Sequence, residues 1–187
     1  MPTAPPDQII AATRHWVATA VVGLELCPFA KAVHLQDLIR YAVSSAETPE
    51  ELLADLLDEL RTLAEADPAE IETTLLIHPE VLADFLDYND FLDVADAALE
   101  DLDLTGVIQI ASFHPEYQFA GTAPDDIENY TNRSPYPMLQ LLRESSVERA
   151  VTAFPDIARI FEKNIETLRR LGLDGWKRLG LGPVRSR

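Results

Sequence analysis

A thiol, an imidazole and a guanidinium stand out in this sequence by their settings. Cys27 is the single cysteine and lies in "GLELCPFAKAV", His114 opens "HPEYQFAG", and Arg133 lies in "NYTNRSPYP". A cysteine beside a histidine is a nucleophile with its base, and a carboxamide such as that of Asn132 can orient the ring. The thiol's reactivity turns on one helix boundary. If the first helix runs on to Cys27, the negative helix end keeps the thiol protonated. If Pro28 opens a new helix, Cys27 caps it, and the positive helix end with Lys31 lowers its pKa.

The tripeptide His-Pro-Glu occurs twice, at 78–80 and 114–116, each time after a run of β-favouring apolar residues. Proline lacks an amide hydrogen and biases the preceding residue toward extended geometry, so strand termination alone explains the dipeptide. The repetition also admits a two-histidine, two-carboxylate metal site. A metal-dependent enzyme using His78 and His114 is therefore an alternative, although its ligands must converge from two loops. His15 and His34 read as surface or packing residues.

The second copy opens a segment, 114–137, with no periodic pattern and prolines at 115, 124, 135 and 137. A stretch of this length inside a compact domain is a binding loop or a disordered one, and its aromatic, asparagine and glycine content argues for order. Tyr117, Ser134 and Tyr136 offer it flat surfaces and hydrogen-bond groups for a substrate. Arg133 is its only cation, just before a helix expected to start near Pro137, where a carboxylate or phosphate would be held. Arg143 is a second cation for the same purpose. The structural alternative pairs Arg133 with Asp125, Asp126 or Glu128.

The elements that must position these residues follow from hydrophobic spacing. Apolar or small residues at 10, 13, 17, 20, 21 and 24 predict a first helix after Asp7. Residues 38–43 read as a strand. Thr48-Pro49-Glu50-Glu51 is a helix start with cap, proline at the first position and returning glutamate, and the leucines that follow carry that helix to Asp67-Pro68. A strand over 71–78, a helix over 81–102 broken near 88–90, and a strand over 107–113 come next. Helices over 138–154 and 156–171 follow, the latter ending at Gly172 as a C-cap. This alternation predicts a small α/β fold with parallel strands joined by right-handed crossovers and covered by helices; an α+β mixed sheet is the alternative. On that basis residues 1–175 form one domain and 176–187 a short basic tail.

The chain of 187 residues carries a net charge of −17. Seven basic against two acidic residues give +5 over 163–187, leaving eight basic against thirty acidic, or −22, over the first 162. Such a field repels phosphate backbones, so nucleic acid and anionic membrane are excluded as partners of the main body. The N-terminal residues lack the positive region of a secretory signal, and the longest apolar stretch, 17–29, is interrupted and too short to span a bilayer. One cysteine excludes a disulfide framework and a closed cysteine zinc site, and points to a reducing cytoplasm. The two glycosylation sequons at 129–134 then read as chance matches. The sequence leaves the cofactor undetermined, and a homo-oligomer is compatible with all of this.

Together "GLELCPFAKAV", "SFHPEYQFAG" and "NYTNRSPYPMLQLLRESSVERAV" resemble a bacterial family of conserved proteins catalogued as a domain of unknown function. The resemblance covers nearly the whole chain. Its signature falls on Cys27, Pro28, Phe29, His114, Pro115, Tyr117, Phe119, Gly121, Asn132, Arg133, Ser134, Tyr136, Arg143 and Glu144. At Gln140 similar sequences often carry histidine. No established reaction accompanies the family. The leading expectation is a small enzyme acting on an anionic small molecule, with His114 as acid or base, Cys27 as nucleophile, and Arg133 or Arg143 holding the anion. The alternative is a non-catalytic ligand- or partner-binding module that uses the 114–137 loop.

Overall fold

A computed structural model of the chain describes residues 4–153 and 157–183. The expected helix boundaries at Phe154 and Asp156 lie outside the described residues, as does the end of the basic tail.

Helix α1 (Pro6–Trp16) opens with proline at its first position and buries Ile9, Thr13 and Trp16. The sequence pattern extended this helix through Leu24, but after Trp16 the backbone widens into a π-helical segment, Val17–Val22. Gly23 closes it, because a Cβ there would lie 2.4 Å from the Thr19 carbonyl oxygen. A short helix α2 (Ala30–Leu35) leads to strand β1 (Ile39–Val43).

Helix α3 (Pro49–Glu65) starts as its sequence requires. The Thr48 hydroxyl accepts from the Glu51 amide at 3.3 Å, and the Glu51 carboxylate accepts from the Glu47 amide at 2.9 Å. Leu52, Leu56, Leu60 and Leu63 are fully buried along one face. Burying each such side chain is worth roughly 1.5–3 kcal/mol. Strand β2 (Thr73–Ile77) is buried throughout. Helix α4 (Phe85–Asp101) is capped by Asp84, whose carboxylate accepts from the Leu86 and Asp87 amides. It starts later than the spacing suggested and has no break at 88–90. There Tyr88 points inward while Asn89 and Asp90 face solvent, which a continuous amphipathic helix accommodates.

Strand β3 (Ile108–Phe113) precedes the long loop, which contains one 3₁₀ turn, Ile127–Thr131. The chain then forms strand β4 (Met138–Arg143), helix α5 (Glu144–Ala153) and helix α6 (Ile157–Arg178). The single helix expected over 138–154 is therefore two elements. Leu139 and Leu142 have helical spacing, but "MLQLLR" fits equally the continuous apolar run of a central strand. It is held there because it fills the gap between β2, which has β1 on its other side, and β3, whose one strand partner among the described residues is β4. Gly172 has the positive φ of a C-cap, 67°, yet helical geometry resumes beyond it to Arg178. Trp176, Leu179 and Leu181 then pack into the core on the α1 side.

The sheet order is β1-β2-β4-β3. Among the described residues only β1 and β2 pair in parallel; β4 runs antiparallel to both β2 and β3. The sheet is thus mixed, the alternative that the sequence left open beside wholly parallel pairing, with helices on both faces. Alternation along the strands divides the core in two. Leu76, Leu139 and Leu141 face α3 and α4, whereas Leu75, Ile77 and Met138 face α1 and the π segment. Among the described residues no helix is long and apolar enough to cross a membrane.

Candidate functional site

Because β2 and β3 both run against β4, their C-terminal ends share one edge of the sheet, and His78 and His114 follow those ends. Both rings are fully buried, with Tyr88 of α4 beside each at centroid distances of 5.8 Å and 5.0 Å. Carbonyl oxygens can only accept, so the tautomers follow from the partners. His114 donates from Nε2 to the Leu82 carbonyl at 3.2 Å and accepts at Nδ1 from the Glu116 amide at 3.0 Å. His78 donates from Nδ1 to the Val81 carbonyl at 3.0 Å, and its Nε2 has no partner among the described residues. Burial holds the His114 imidazole below its usual range and pushes that of His78 down to about 4. Both are neutral at pH 7, and each ties its own strand end to the turn after β2 or after β3. Among the described residues no group of three or more His, Cys, Asp or Glu side chains could hold a metal ion, so nothing completes a ligand set around this pair.

The loop's polar groups turn inward. Asn129 is fully buried, and its Oδ1 accepts from the Phe119 amide at 3.0 Å and the Thr122 hydroxyl at 2.7 Å. Arg133 donates from Nε to the Tyr117 carbonyl at 3.3 Å and from Nη2 to the Pro124 carbonyl at 2.6 Å, with its guanidinium 4.2 Å from the centre of the Tyr130 ring. The helix start expected beyond it is absent, since β4 follows. Two of the carboxylates expected as its partners are engaged elsewhere: Asp126 accepts from the Ala123 amide, and Glu128 pairs with Arg169. Ser134 donates to the Tyr136 carbonyl at 2.6 Å, and both residues are buried. Tyr117 packs between Phe85 and Phe119. Arg143 donates to the carbonyls of Ala66 and Ile71, clasping the turn between α3 and β2. Each of these side chains is part of the scaffold that orders the loop or the sheet edge.

Cys27 lies in a different place from either reading of its boundary. The π segment ends at Val22, the chain turns through Glu25 at φ 56°, and α2 is capped by Phe29. The thiol residue sits between, half-buried, with its amide donating to the Val21 carbonyl at 3.3 Å and its carbonyl accepting from the Ala30 amide. Two cavities meet there. An open outer cleft of about 1020 Å³ is lined by Cys27 with Lys31, Arg159, Lys163 and the carboxylates Glu25, Glu162 and Glu166. Lys163 and Glu25 form an ion pair at 2.7 Å. An inner pocket of about 200 Å³ runs from Cys27 to the sheet between Trp16, Val17 and Phe113, and is also lined by Thr131, Asn132 and Gln140.

The structure thus brings Cys27 and Asn132 to one pocket and leaves His114 outside that group. Phe113 packs its ring edge-on against Trp16 at 5.4 Å on the α1 face, while His114, one residue on, packs against Phe85 and Tyr88 on the α4 face. The sheet separates thiol from imidazole. Spacing did not identify Gln140, the π segment or Lys163 as neighbours of Cys27. The one local signal was Gly23 within an apolar helical run. A rare π turn is often found at functional sites, and here it supplies Val17 and Val21 to the inner pocket and Val22 to the outer cleft.

A family model described as "Protein of unknown function (DUF1415)" matches residues 8–178, and the chain belongs to that family. No curated protein and no solved structure gives a significant match.

Proposed function

We propose that this member of the family is a small thiol-dependent enzyme whose substrate bridges the two cavities at Cys27. The observation that carries the reading is that one half-buried thiol lines both an apolar pocket and a charged cleft. An apolar group would enter the inner pocket, and an anionic head would lie in the outer cleft beside Lys31, one helical turn beyond the thiol. Arg133 and Arg143 do not serve that anion, because their donors are held by backbone carbonyls. The acidic body disfavours nucleic acid as substrate, and the single thiol suits the reducing cytoplasm as compartment.

Native-state alkylation tests the reading. Iodoacetamide should modify Cys27 in the folded protein near neutral pH, and Cys27→Ser should remove turnover in a substrate screen. Modification only after unfolding ends it.

A second reading, a non-catalytic ligand-binding module, is favoured by one observation: the sheet lies between His114 and the thiol. It locates recognition in the Cys27 cavities, not on the 114–137 loop surface. Ligand affinity that survives Cys27→Ser without any turnover in the wild type would select it.

A further inference from the structure

The inner pocket's hydrogen-bonding character restricts what it can hold. Its polar side chains are Thr131, Asn132 and Gln140 besides the thiol and the Trp16 indole, whose N–H already donates to the Arg133 carbonyl at 2.9 Å. Asn132 Nδ2 donates to the Ser112 carbonyl at 3.1 Å, which fixes the amide orientation. The Thr73 hydroxyl donates to the Leu141 carbonyl at 2.7 Å, so it must accept from Gln140, and Gln140 Nε2 is the donor at 3.2 Å. The Thr131 hydroxyl donates to the Glu128 carbonyl at 3.0 Å. In all three residues a donor is engaged by the protein. What remains is weighted to acceptors: three oxygens, against one further N–H on each carboxamide.

Size adds a second restriction. A cavity of about 150 Å³ lined by apolar side chains holds a benzene ring, and this pocket of about 200 Å³ is walled by Trp16, Val17 and Phe113. It has room for one ring with a small substituent. We infer that the inner pocket takes a single-ring group bearing an O–H or N–H donor, of phenol or azole type, seated among the oxygens of Thr131, Asn132 and Gln140 with Cys27 at its mouth. The inference rests on the reading of the Cys27 cavities as a small-molecule site, and it names the class of group that site selects.

Phenol and toluene, matched in shape, are the probes, because only phenol donates a hydrogen bond. Titration of the wild-type protein followed by NMR should show phenol binding roughly 3- to 10-fold more tightly than toluene, the range expected for one net hydrogen bond. Phenol should also slow iodoacetamide modification of Cys27 by blocking the pocket mouth. Gln140→Leu and Thr131→Val, each checked for an unchanged fold by circular dichroism, should narrow the preference. Equal or tighter toluene binding overturns the inference, as does absence of binding by either probe or a phenol complex that leaves alkylation unslowed. Alkylation of the ligand-free protein reads the thiol separately, so a thiol that fails to react and a pocket that fails to discriminate give different results.

Discussion

Phe113 and His114 are consecutive residues on opposite faces of one sheet: the first lies against Trp16 and the second against Tyr88. The strand's two-residue repeat sets Phe113 on its side in the β3–β4 register, and the extended backbone carries the alternation one residue further, where the His114 amide donates to the Asn132 carbonyl. It separates the thiol site from the buried histidines and gives the two sets of residues different roles.

The histidines should make stability depend on pH. The folded-state pKa of His78 lies near 4, below its unfolded value of about 6.5, so the unfolded chain binds more protons between those limits. Its contribution to stability is complete above pH 6.5 and is lost as pH falls toward 4, by an amount on the order of 3 kcal/mol. His114 shifts in the same direction. Urea unfolding of wild type and His78→Leu across this range should give a shallower profile for the variant; parallel profiles would contradict the assignment.

Tyr88 joins two strands through one oxygen. Its hydroxyl donates to the Met138 carbonyl at 2.9 Å and accepts from the Phe113 amide at 3.0 Å. Tyr88→Phe leaves both backbone groups without this partner and should cost about 1–3 kcal/mol. Hydrogen exchange at the Phe113 amide should accelerate in step with the lost stability, and an unchanged rate would show that the bond is unimportant.

The π segment depends on Gly23. A methyl group there meets the Thr19 carbonyl at 2.4 Å, so Gly23→Ala should destabilise the fold by roughly 1–3 kcal/mol through a forced backbone shift. The same shift should change the alkylation rate of Cys27, because the Cys27 amide is bonded to Val21 in that segment. A variant with wild-type stability and thiol reactivity would refute the coupling.

Arg143 and Arg133 should behave as scaffold residues. Replacing Arg143 by Met removes the donors to Ala66 and Ile71 and is expected to cost about 2 kcal/mol. Phenol affinity and Cys27 alkylation in the folded fraction should stay unchanged for both Arg143→Met and Arg133→Met. A selective loss of ligand binding with stability intact would return these residues to the site.

Much of the framework could be read locally. The Thr48-Pro49-Glu51 start rests on hydrogen bonds within a few residues, and the leucine face of α3 and the first three strands show as local hydrophobic patterns even though their partners are distant. The His-Pro steps likewise mark strand ends in both reading and structure. The run from Met138 to Arg143 was ambiguous because its apolar residues satisfy either period, and only the vacancy between β2 and β3 makes it a strand. That one pairing makes the sheet mixed, and it sets Gln140 on the thiol's side of the sheet.

Sequence alone therefore determined which side chains have chemical potential and where most elements begin. Which of them meet was decided by tertiary structure. The meeting of Cys27, Asn132 and Gln140 depends on strand register and on a π turn closed by Gly23, and neither long-range pairing nor its alternation across the sheet is encoded in the spacing of those three residues.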